Sequence, residues 1–134
     1  MKTYVLDAYP LIVFFRRDPG WETVEELLAE DSRNPKRLLL TLINWGEIYY
    51  NVLREEGPIV LESIINAIDR MKIEIIGDDK ELTIQAAKFK SKGGISYPDC
   101  FAAALAKRES AMLVTGDLEF KRLEKNKEIK IFWV

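Results

Sequence analysis

The sequence predicts an α/β fold, with a mostly parallel five-stranded sheet between two layers of helices. Short apolar runs alternate along the chain with longer segments whose apolar residues recur at helical spacing. This alternation favours a parallel sheet with helices on both faces. The runs are also short and apolar, as strands are when the sheet is covered on both sides.

The expected elements follow one another in a simple order. Strands are predicted at residues 3–6, 37–42, 72–76, 111–114 and 129–133. Helices are predicted at residues 10–17, 21–30, 43–55, 59–71, 80–90 and 97–108, with a short helix at 118–124. Pro10 suits the first turn of its helix, while Asp78, Asp79 and Ser96 suit helix caps. Residues 1–134 are expected to form one domain.

Composition restricts the chemistry that this chain can perform. Histidine is absent, which excludes histidine acid–base catalysis, Ser-His-Asp triads and histidine-ligated zinc. A bound metal would therefore have oxygen ligands, which points to Mg²⁺ or Mn²⁺. The net charge of −2 does not suggest a general nucleic-acid coat. A single cysteine, Cys100, and the lack of a signal peptide or bilayer-length apolar run favour a cytoplasmic location without a membrane.

Four acidic residues occupy positions where a parallel sheet would bring them together. Asp7 and Asp117 follow apolar strands, Glu47 lies on the helix after the second strand, and Asp99 lies at the start of an alanine-rich helix. The carboxyl ends of the strands form the functional crevice of an open α/β sheet. Clustered carboxylates repel one another unless protons or cations neutralise them. A divalent cation there would polarise a phosphodiester and activate water.

Each of these acids also has a purely structural interpretation. Asp7 and Asp117 are suitable helix caps, Asp99 is a favourable first-turn charge, and Glu47 is an ordinary solvated helix residue. Packing is the expected role of Tyr97, Trp45 and Cys100.

Four sequence motifs resemble the PIN-domain family, and within it the VapC-like toxins of toxin–antitoxin pairs. They are VLDAYP, NWGEI, SYPDCFAAALA and VTGDLEF, in this order along the chain. The resemblance implies a Rossmann-like three-layer α/β/α fold and a metal-dependent endoribonuclease. Its acidic quartet, binding Mg²⁺ or Mn²⁺, would be Asp7, Glu47, Asp99 and Asp117, supported by the hydroxyl of Thr115. A homodimer and inhibition by a small antitoxin protein are also implied.

One position departs from the family pattern. Many relatives carry Ser, Thr or Asn two residues after the first Asp, whereas this chain has Tyr9. A hydrogen bond near the metal site is therefore in doubt. The same residue counts against a small metal-dependent phosphatase, whose common motif would place a second Asp there. A PIN-like module that binds RNA or protein without cleavage is the other alternative.

Basic residues on either side of the acidic motifs are candidates for phosphate contacts that position RNA without reading its sequence. They are Arg16, Arg17, Lys88, Lys90, Lys92, Lys121 and Arg122. Ordinary solvated helix faces are the competing interpretation. The apolar residues Trp45, Ile48, Tyr49 and Tyr50 are expected either to fill the core or to contact a second copy or an antitoxin helix.

Overall fold

The computed structural model describes residues 1–134, and its five strands form one parallel sheet. The strands are β1 (Lys2–Leu6), β2 (Lys36–Thr41), β3 (Ile73–Ile76), β4 (Met112–Thr115) and β5 (Lys130–Trp133). Their order across the sheet is β3-β2-β1-β4-β5, and every neighbouring pair is parallel. The sequence predicted a mostly parallel sheet, and the structure extends this to all five strands.

Seven helices cover the sheet. They are α1 (Ala8–Arg16), α2 (Trp21–Leu28), α3 (Leu42–Glu56), α4 (Pro58–Arg70), α5 (Lys80–Ser91), α6 (Tyr97–Arg108) and α7 (Lys121–Lys125). A 3₁₀ turn, Leu118–Phe120, precedes α7. None of these helices has the length and apolar character needed to span a membrane.

Successive residues of β1 point to opposite faces, and each face carries its own core. Val5 packs with α5, α6 and α7, whereas Tyr4 and Leu6 pack with α1 to α4. The three-layer α/β/α prediction is therefore confirmed. On the first face, every residue of α6 from Cys100 to Ala106 is buried. Four of these seven residues are alanines, and their small side chains allow the helix to pack on all sides.

β1 lies at the centre of the sheet, and the chain changes direction across the sheet at this strand. It first builds outward through β2 to β3, and later adds β4 and β5 on the other side. In an open α/β sheet, such a switch point opens a crevice at the carboxyl ends of the strands. The crevice here lies between the ends of β1 and β4, directly beside Asp7 and Thr115.

The boundaries of some elements differ from the predicted ones for identifiable reasons. α1 begins at Ala8 instead of Pro10, because Asp7 caps it. β2 ends at Thr41, and Leu42 is already helical, because the Thr41 side chain accepts a hydrogen bond from the Asn44 amide at 3.0 Å. The predicted helix 118–124 divides into the 3₁₀ turn and α7. Asp79 caps α5 as predicted, accepting from the Leu82 amide at 2.7 Å.

Candidate functional site

Asp7 lies at the junction of β1 and α1 and is almost completely buried, with 1% of its surface exposed. One carboxylate oxygen accepts a hydrogen bond from the Tyr9 amide at 3.0 Å, which caps α1. The other accepts from the Thr115 hydroxyl at 2.7 Å. The cap and the hydroxyl therefore fix the orientation of the Asp7 carboxyl group at the end of β1.

Thr115 connects two of the predicted acids. Its hydroxyl donates to Asp7 and also accepts from the Asp117 amide at 3.0 Å. Asp117 in turn accepts from the Glu119 amide at 3.0 Å and so caps the 3₁₀ turn. Thr115 is fully buried as the last residue of β4. The hydroxyl therefore holds the end of β4 in register with the end of β1.

Glu47 is positioned by a buried asparagine on the same helix. Asn44 donates from Nδ2 to Glu47 Oε1 at 2.8 Å and to the Pro98 carbonyl at 3.2 Å. Its Oδ1 accepts from the Thr41 hydroxyl at 2.5 Å. Asn44 thus joins α3 to the first turn of α6. This joint directs Glu47 towards the helix start that carries Asp99.

Asp99 lies in the first turn of α6, whose N-cap is Ser96. One oxygen atom from each of Asp99, Asp117 and Glu119 lies within 4.8 Å of the others, a spacing that suits a shared cation. Burial, followed by the charge of Glu47, raises the pKa of Asp99 to about 7. That value also includes a smaller increase from the charge of Asp117 and a decrease from the hydrogen bond with Ser96.

Two further carboxylates also have raised pKa values. Burial raises the pKa of Asp7 well above its usual range; the Thr115 hydroxyl opposes the shift, and the charges of Asp99 and Glu47 add to it. Burial also raises the pKa of Glu47, against the hydrogen bond from Asn44. None of the salt bridges in the structure includes a carboxylate of this cluster. The negative charge is therefore left without a protein cation.

The structure brings all four predicted acids to one edge of the sheet. Asp99 links them, because its charge interacts with those of Asp7, Glu47 and Asp117. The structural interpretation also holds in part, since Asp7 and Asp117 both cap the elements that follow them. Capping and clustering do not compete here, because a cap uses one carboxylate oxygen and leaves other lone pairs free.

Two residues of this site were missed in the sequence. Glu119 resembled an ordinary residue of a short charged helix, although the Asp-x-Glu spacing from Asp117 was a usable signal. Asn44 gave only a local signal, the Thr-x-x-Asn pattern at a strand end. Its contact with the Pro98 carbonyl joins residues 54 positions apart, which no local pattern shows.

The residues assigned to packing divide into buried and partly exposed groups. Cys100 is buried, and its burial raises the pKa of the thiol to about 11. Trp45 packs on Tyr49, with ring centroids 5.5 Å apart, and Tyr97 packs edge-on against Phe101. Tyr49 and Tyr97 nevertheless remain exposed over about two fifths of their surface.

Several candidate phosphate contacts already have partners within the chain. Arg16 lies 3.4 Å from Glu56, and Arg17 lies 3.5 Å from Glu25. Lys90 donates to the Ile95 carbonyl at 2.9 Å, and Arg122 donates to the Gly93 carbonyl at 2.6 Å. The latter two hold the loop that leads into α6. The remaining candidates, Lys88, Lys92 and Lys121, form none of the salt bridges.

Solved structures with the same fold come from several bacteria. VapBC2 of Rickettsia felis, bound to a DNA fragment from its promoter, is similar with a TM-score of 0.74 and 20% identity over 97% of each chain. DNA-bound VapBC of Salmonella typhimurium has a TM-score of 0.74 and 16% identity over 98% of each chain. VapC20 of Mycobacterium tuberculosis, a sarcin–ricin-loop-cleaving toxin, has a TM-score of 0.71 and 14% identity, over 89% of this chain and 93% of its own.

At these identities the similarity establishes a shared fold. No curated protein matches the sequence. The sequence model described as PIN domain, however, matches residues 4–126. That range contains all five acidic residues of the cluster and four of the five strands, β1 from its third residue and β2 to β4 in full. The chain therefore belongs to the PIN domain family.

Proposed function

We propose that this protein is a metal-dependent endoribonuclease that hydrolyses RNA phosphodiester bonds as the toxin of a toxin–antitoxin pair. One observation carries the proposal: several carboxylates meet at the sheet's switch point, and no lysine or arginine forms a salt bridge with them. Three of them, Asp7, Glu47 and Asp99, have raised pKa values. A structural cluster would be expected to contain compensating cations, because uncompensated buried charge is destabilising.

The donor set fits a hard divalent cation. All of its members offer oxygen atoms, which are the ligands that Mg²⁺ and Mn²⁺ prefer. We assign the metal site to Asp7, Glu47, Asp99 and Asp117. Glu119 joins the set because one of its carboxylate oxygens lies within 4.8 Å of an oxygen of Asp99 and of Asp117. Thr115 and Asn44 are positioning residues, since they orient Asp7 and Glu47 through hydrogen bonds.

Protein groups in this mechanism position the reactants and carry no covalent intermediate. A bound divalent cation supplies Lewis-acid polarisation of the phosphoryl oxygen and lowers the pKa of an attacking water. Asn44 holds Oε1 of Glu47 and leaves Oε2 free. Both oxygens of Asp7 accept one hydrogen bond, from the Tyr9 amide and from the Thr115 hydroxyl, and each keeps a further lone pair for a cation. Cys100 is no competing nucleophile, because it is buried with a raised thiol pKa.

The toxin assignment rests on the family and on the structural neighbours. Several of them are toxin–antitoxin complexes, among them one from Klebsiella pneumoniae with a TM-score of 0.70. We propose a small antitoxin partner, a homodimer and a cytoplasmic location. α3 supports self-association, since Leu42, Tyr49 and Leu53 are exposed at helical spacing on one face, whereas Ile48 belongs to the core. Light scattering across a concentration series tests the dimer, and a strict monomer would contradict it.

Cleavage of labelled RNAs tests the enzymatic proposal. Wild-type protein, free of any partner, is expected to cut with Mg²⁺ or Mn²⁺ and to stop on addition of EDTA. Asp7→Asn is expected to remove cutting, because it deletes a charge at the centre of the site. Asp69→Asn is the matched control, since Asp69 is an exposed acid on α4. Equal cutting by the wild type and Asp7→Asn would refute the proposed site.

Metal titration distinguishes a nuclease from a PIN-fold module that binds metal without cutting RNA. A folded protein that binds Mn²⁺ through Asp7 but cuts no RNA in a broad panel would be a binding module of the PIN fold. Isothermal calorimetry on the wild type, Asp7→Asn and Asp69→Asn gives this answer without any assumption about the RNA target.

A further inference from the structure

Tyr9, the residue that departs from the family pattern, lies over the glycine between two site residues. A Cβ atom added to Gly116 would meet Cε1 and Cζ of Tyr9 and would lie 2.8 Å from its hydroxyl oxygen. Gly116 has no positive φ, so its backbone conformation does not demand glycine. Glycine is required at position 116 because the ring of Tyr9 occupies the space that a side chain would need. Because Gly116 separates Thr115 from Asp117, the ring lies beside the acidic cluster.

The ring of Tyr9 is also free on its outer side. It is 39% exposed, and it takes part in no aromatic pair and no cation–π contact. The other exposed tyrosines differ: Tyr49 packs on Trp45, Tyr97 on Phe101, and Arg54 lies over Tyr50. Among the exposed tyrosines, Tyr9 therefore has a ring supported by backbone and still available to a ligand.

A groove continues from this ring along α1. It encloses about 480 Å³ and is lined by Tyr9, Ile12, Val13, Arg16, Asp18 and Pro19. Tyr9 and Arg16 lie seven residues apart on the helix, which corresponds to about 10 Å along its axis. The Arg16 guanidinium has only a partly exposed partner, Glu56, at 3.4 Å. Such a pair contributes little stability, so the guanidinium can turn to a phosphate.

We propose that Tyr9 and the α1 groove form a nucleotide subsite, in which an unpaired RNA base stacks on Tyr9 and a neighbouring phosphate meets Arg16. This inference rests on the proposed function and adds to it two residues of this chain, Tyr9 and Arg16, that hold the RNA beside the acidic cluster. A base within a duplex cannot reach the ring, because its faces are occupied by its neighbours. Stacking needs no hydrogen-bond pattern, so the subsite accepts any base with an open face.

Fluorescence anisotropy with labelled RNA octamers in Mg²⁺ tests the subsite. The probes are octa-adenylate and a matched octamer of abasic ribose phosphate, and each is checked on a gel afterwards for intact length. Tyr9→Ala is expected to weaken octa-adenylate binding by about 10-fold, since base–aromatic stacking contributes about 1–3 kcal/mol per base. Tyr9→Phe keeps the ring and is expected to stay within about 2-fold of the wild type.

The abasic probe distinguishes stacking from a structural role of Tyr9. The wild type and Tyr9→Ala are expected to bind it equally, because it carries no base to stack. Tyr9→Leu preserves packing on Gly116 but not the aromatic face, so it is expected to behave like Tyr9→Ala with both probes. Equal weakening of both probes by Tyr9→Ala would overturn the proposal, as would unchanged adenylate affinity in Tyr9→Ala and Tyr9→Leu.

The same proteins distinguish failure of the subsite from failure of the nuclease. The Mn²⁺ affinity of Tyr9→Ala is expected to match that of the wild type, because no proposed metal ligand has changed. Stacking without cleavage would preserve the subsite and refute the nuclease. Metal-dependent cleavage that is unchanged in Tyr9→Ala would preserve the nuclease and refute the subsite.

Discussion

Two neighbouring helices, α5 and α6, each begin beside an aspartate, yet the two aspartates have opposite surroundings. Asp79 accepts hydrogen bonds at 2.7 Å from the Leu82 amide and from Arg108, and these hold its pKa below its usual range, the amide contributing most. Asp99 has no cationic partner, and burial followed by the charge of Glu47 raises its pKa to about 7. An aspartate near a helix start is therefore compensated in one case, as the N-cap of α5, and left uncompensated in the other, in the first turn of α6.

This contrast distinguishes a charge that supports the fold from a charge that the fold merely tolerates. The Asp79 carboxylate is stabilised when ionised, so it favours the folded state at neutral pH. The Asp99 carboxylate is destabilised when ionised and has to be retained for another reason. The proposed cation would provide that reason, because its positive charge would offset the repulsion among Asp99, Asp117 and Glu119.

Cleavage activity should show the largest difference between the two aspartates. Asp99→Asn is expected to lower the rate of metal-dependent RNA cleavage by about 100-fold or more, the loss typical of removing an electrostatic group at a reacting centre. Asp79→Asn is expected to stay within about 2-fold of the wild type, because Asp79 lies outside the acidic cluster. Initial rates on one labelled RNA under single-turnover conditions give both numbers. A comparable loss in both variants would abolish the distinction.

The sequence placed both aspartates at helix starts but did not reveal their different roles. Alternating strands and helices predicted the sheet and the edge where Asp7, Glu47, Asp99 and Asp117 would meet. The burial of Asp99 and the Asp79–Arg108 pair depend on contacts across space, and Arg108 lies 29 residues from Asp79. Local patterns therefore found the acids, whereas their electrostatic environment required the structure.

The residues that the sequence did not reveal also act through contacts across space. Asn44 acts through the Pro98 carbonyl on a different helix, and a single buried polar residue gives no periodic signal. Gly116 resembled an ordinary turn glycine, and only the position of the Tyr9 ring shows why a side chain does not fit. The predicted end of β2 at residue 42 was wrong for a local reason. Leu42 is apolar, so it extends the strand pattern past Thr41, the residue that caps α3.

The second largest difference between the two aspartates is expected in the stability that the protein gains from a bound metal ion. At a Mg²⁺ concentration about 100 times its dissociation constant, the wild type is expected to gain about 2.7 kcal/mol in free energy of unfolding. Asp79→Asn should gain the same amount, and Asp99→Asn should gain little, because it lacks a ligand. Urea unfolding with and without Mg²⁺ measures the gain. Full stabilisation of Asp99→Asn would exclude Asp99 from the metal site.

Ionisation of the two aspartates should change the stability of the fold in opposite directions as the pH rises. The pKa of Asp99 is raised in the folded state, so the folded wild type binds more protons than the unfolded chain between about pH 4 and pH 7. Ionisation therefore destabilises the metal-free protein as the pH rises through this window. Metal-free Asp99→Asn is expected to be more stable than the wild type at pH 8 by about 1 kcal/mol, after allowance for partial solvent screening.

Below about pH 4 the two proteins should be equally stable, because Asp99 is then protonated in both states. Urea unfolding of protein dialysed against EDTA, at pH 4 and pH 8, measures the difference. Asp69→Asn again provides the control, since its exposed carboxylate should show no such gain. A less stable Asp99→Asn at pH 8 would mean that this carboxylate supports the fold as Asp79 does.

The smallest effect is expected from Asp79, and its sign is opposite. The lowered pKa of Asp79 means that its ionised form stabilises the fold at neutral pH and that this contribution disappears as the pH falls through its folded-state value. Asp79→Ala should lower the melting temperature at pH 7 by about 2–4 °C, the effect of losing one helix cap in a chain of this size. The difference should shrink as the pH falls through the folded-state pKa of Asp79, because protonation removes the charge that the Leu82 amide and Arg108 stabilise. If Asp79→Ala instead raised the melting temperature at pH 7, the two helix starts would share one electrostatic character, and raised carboxyl pKa values would no longer single out the acidic cluster.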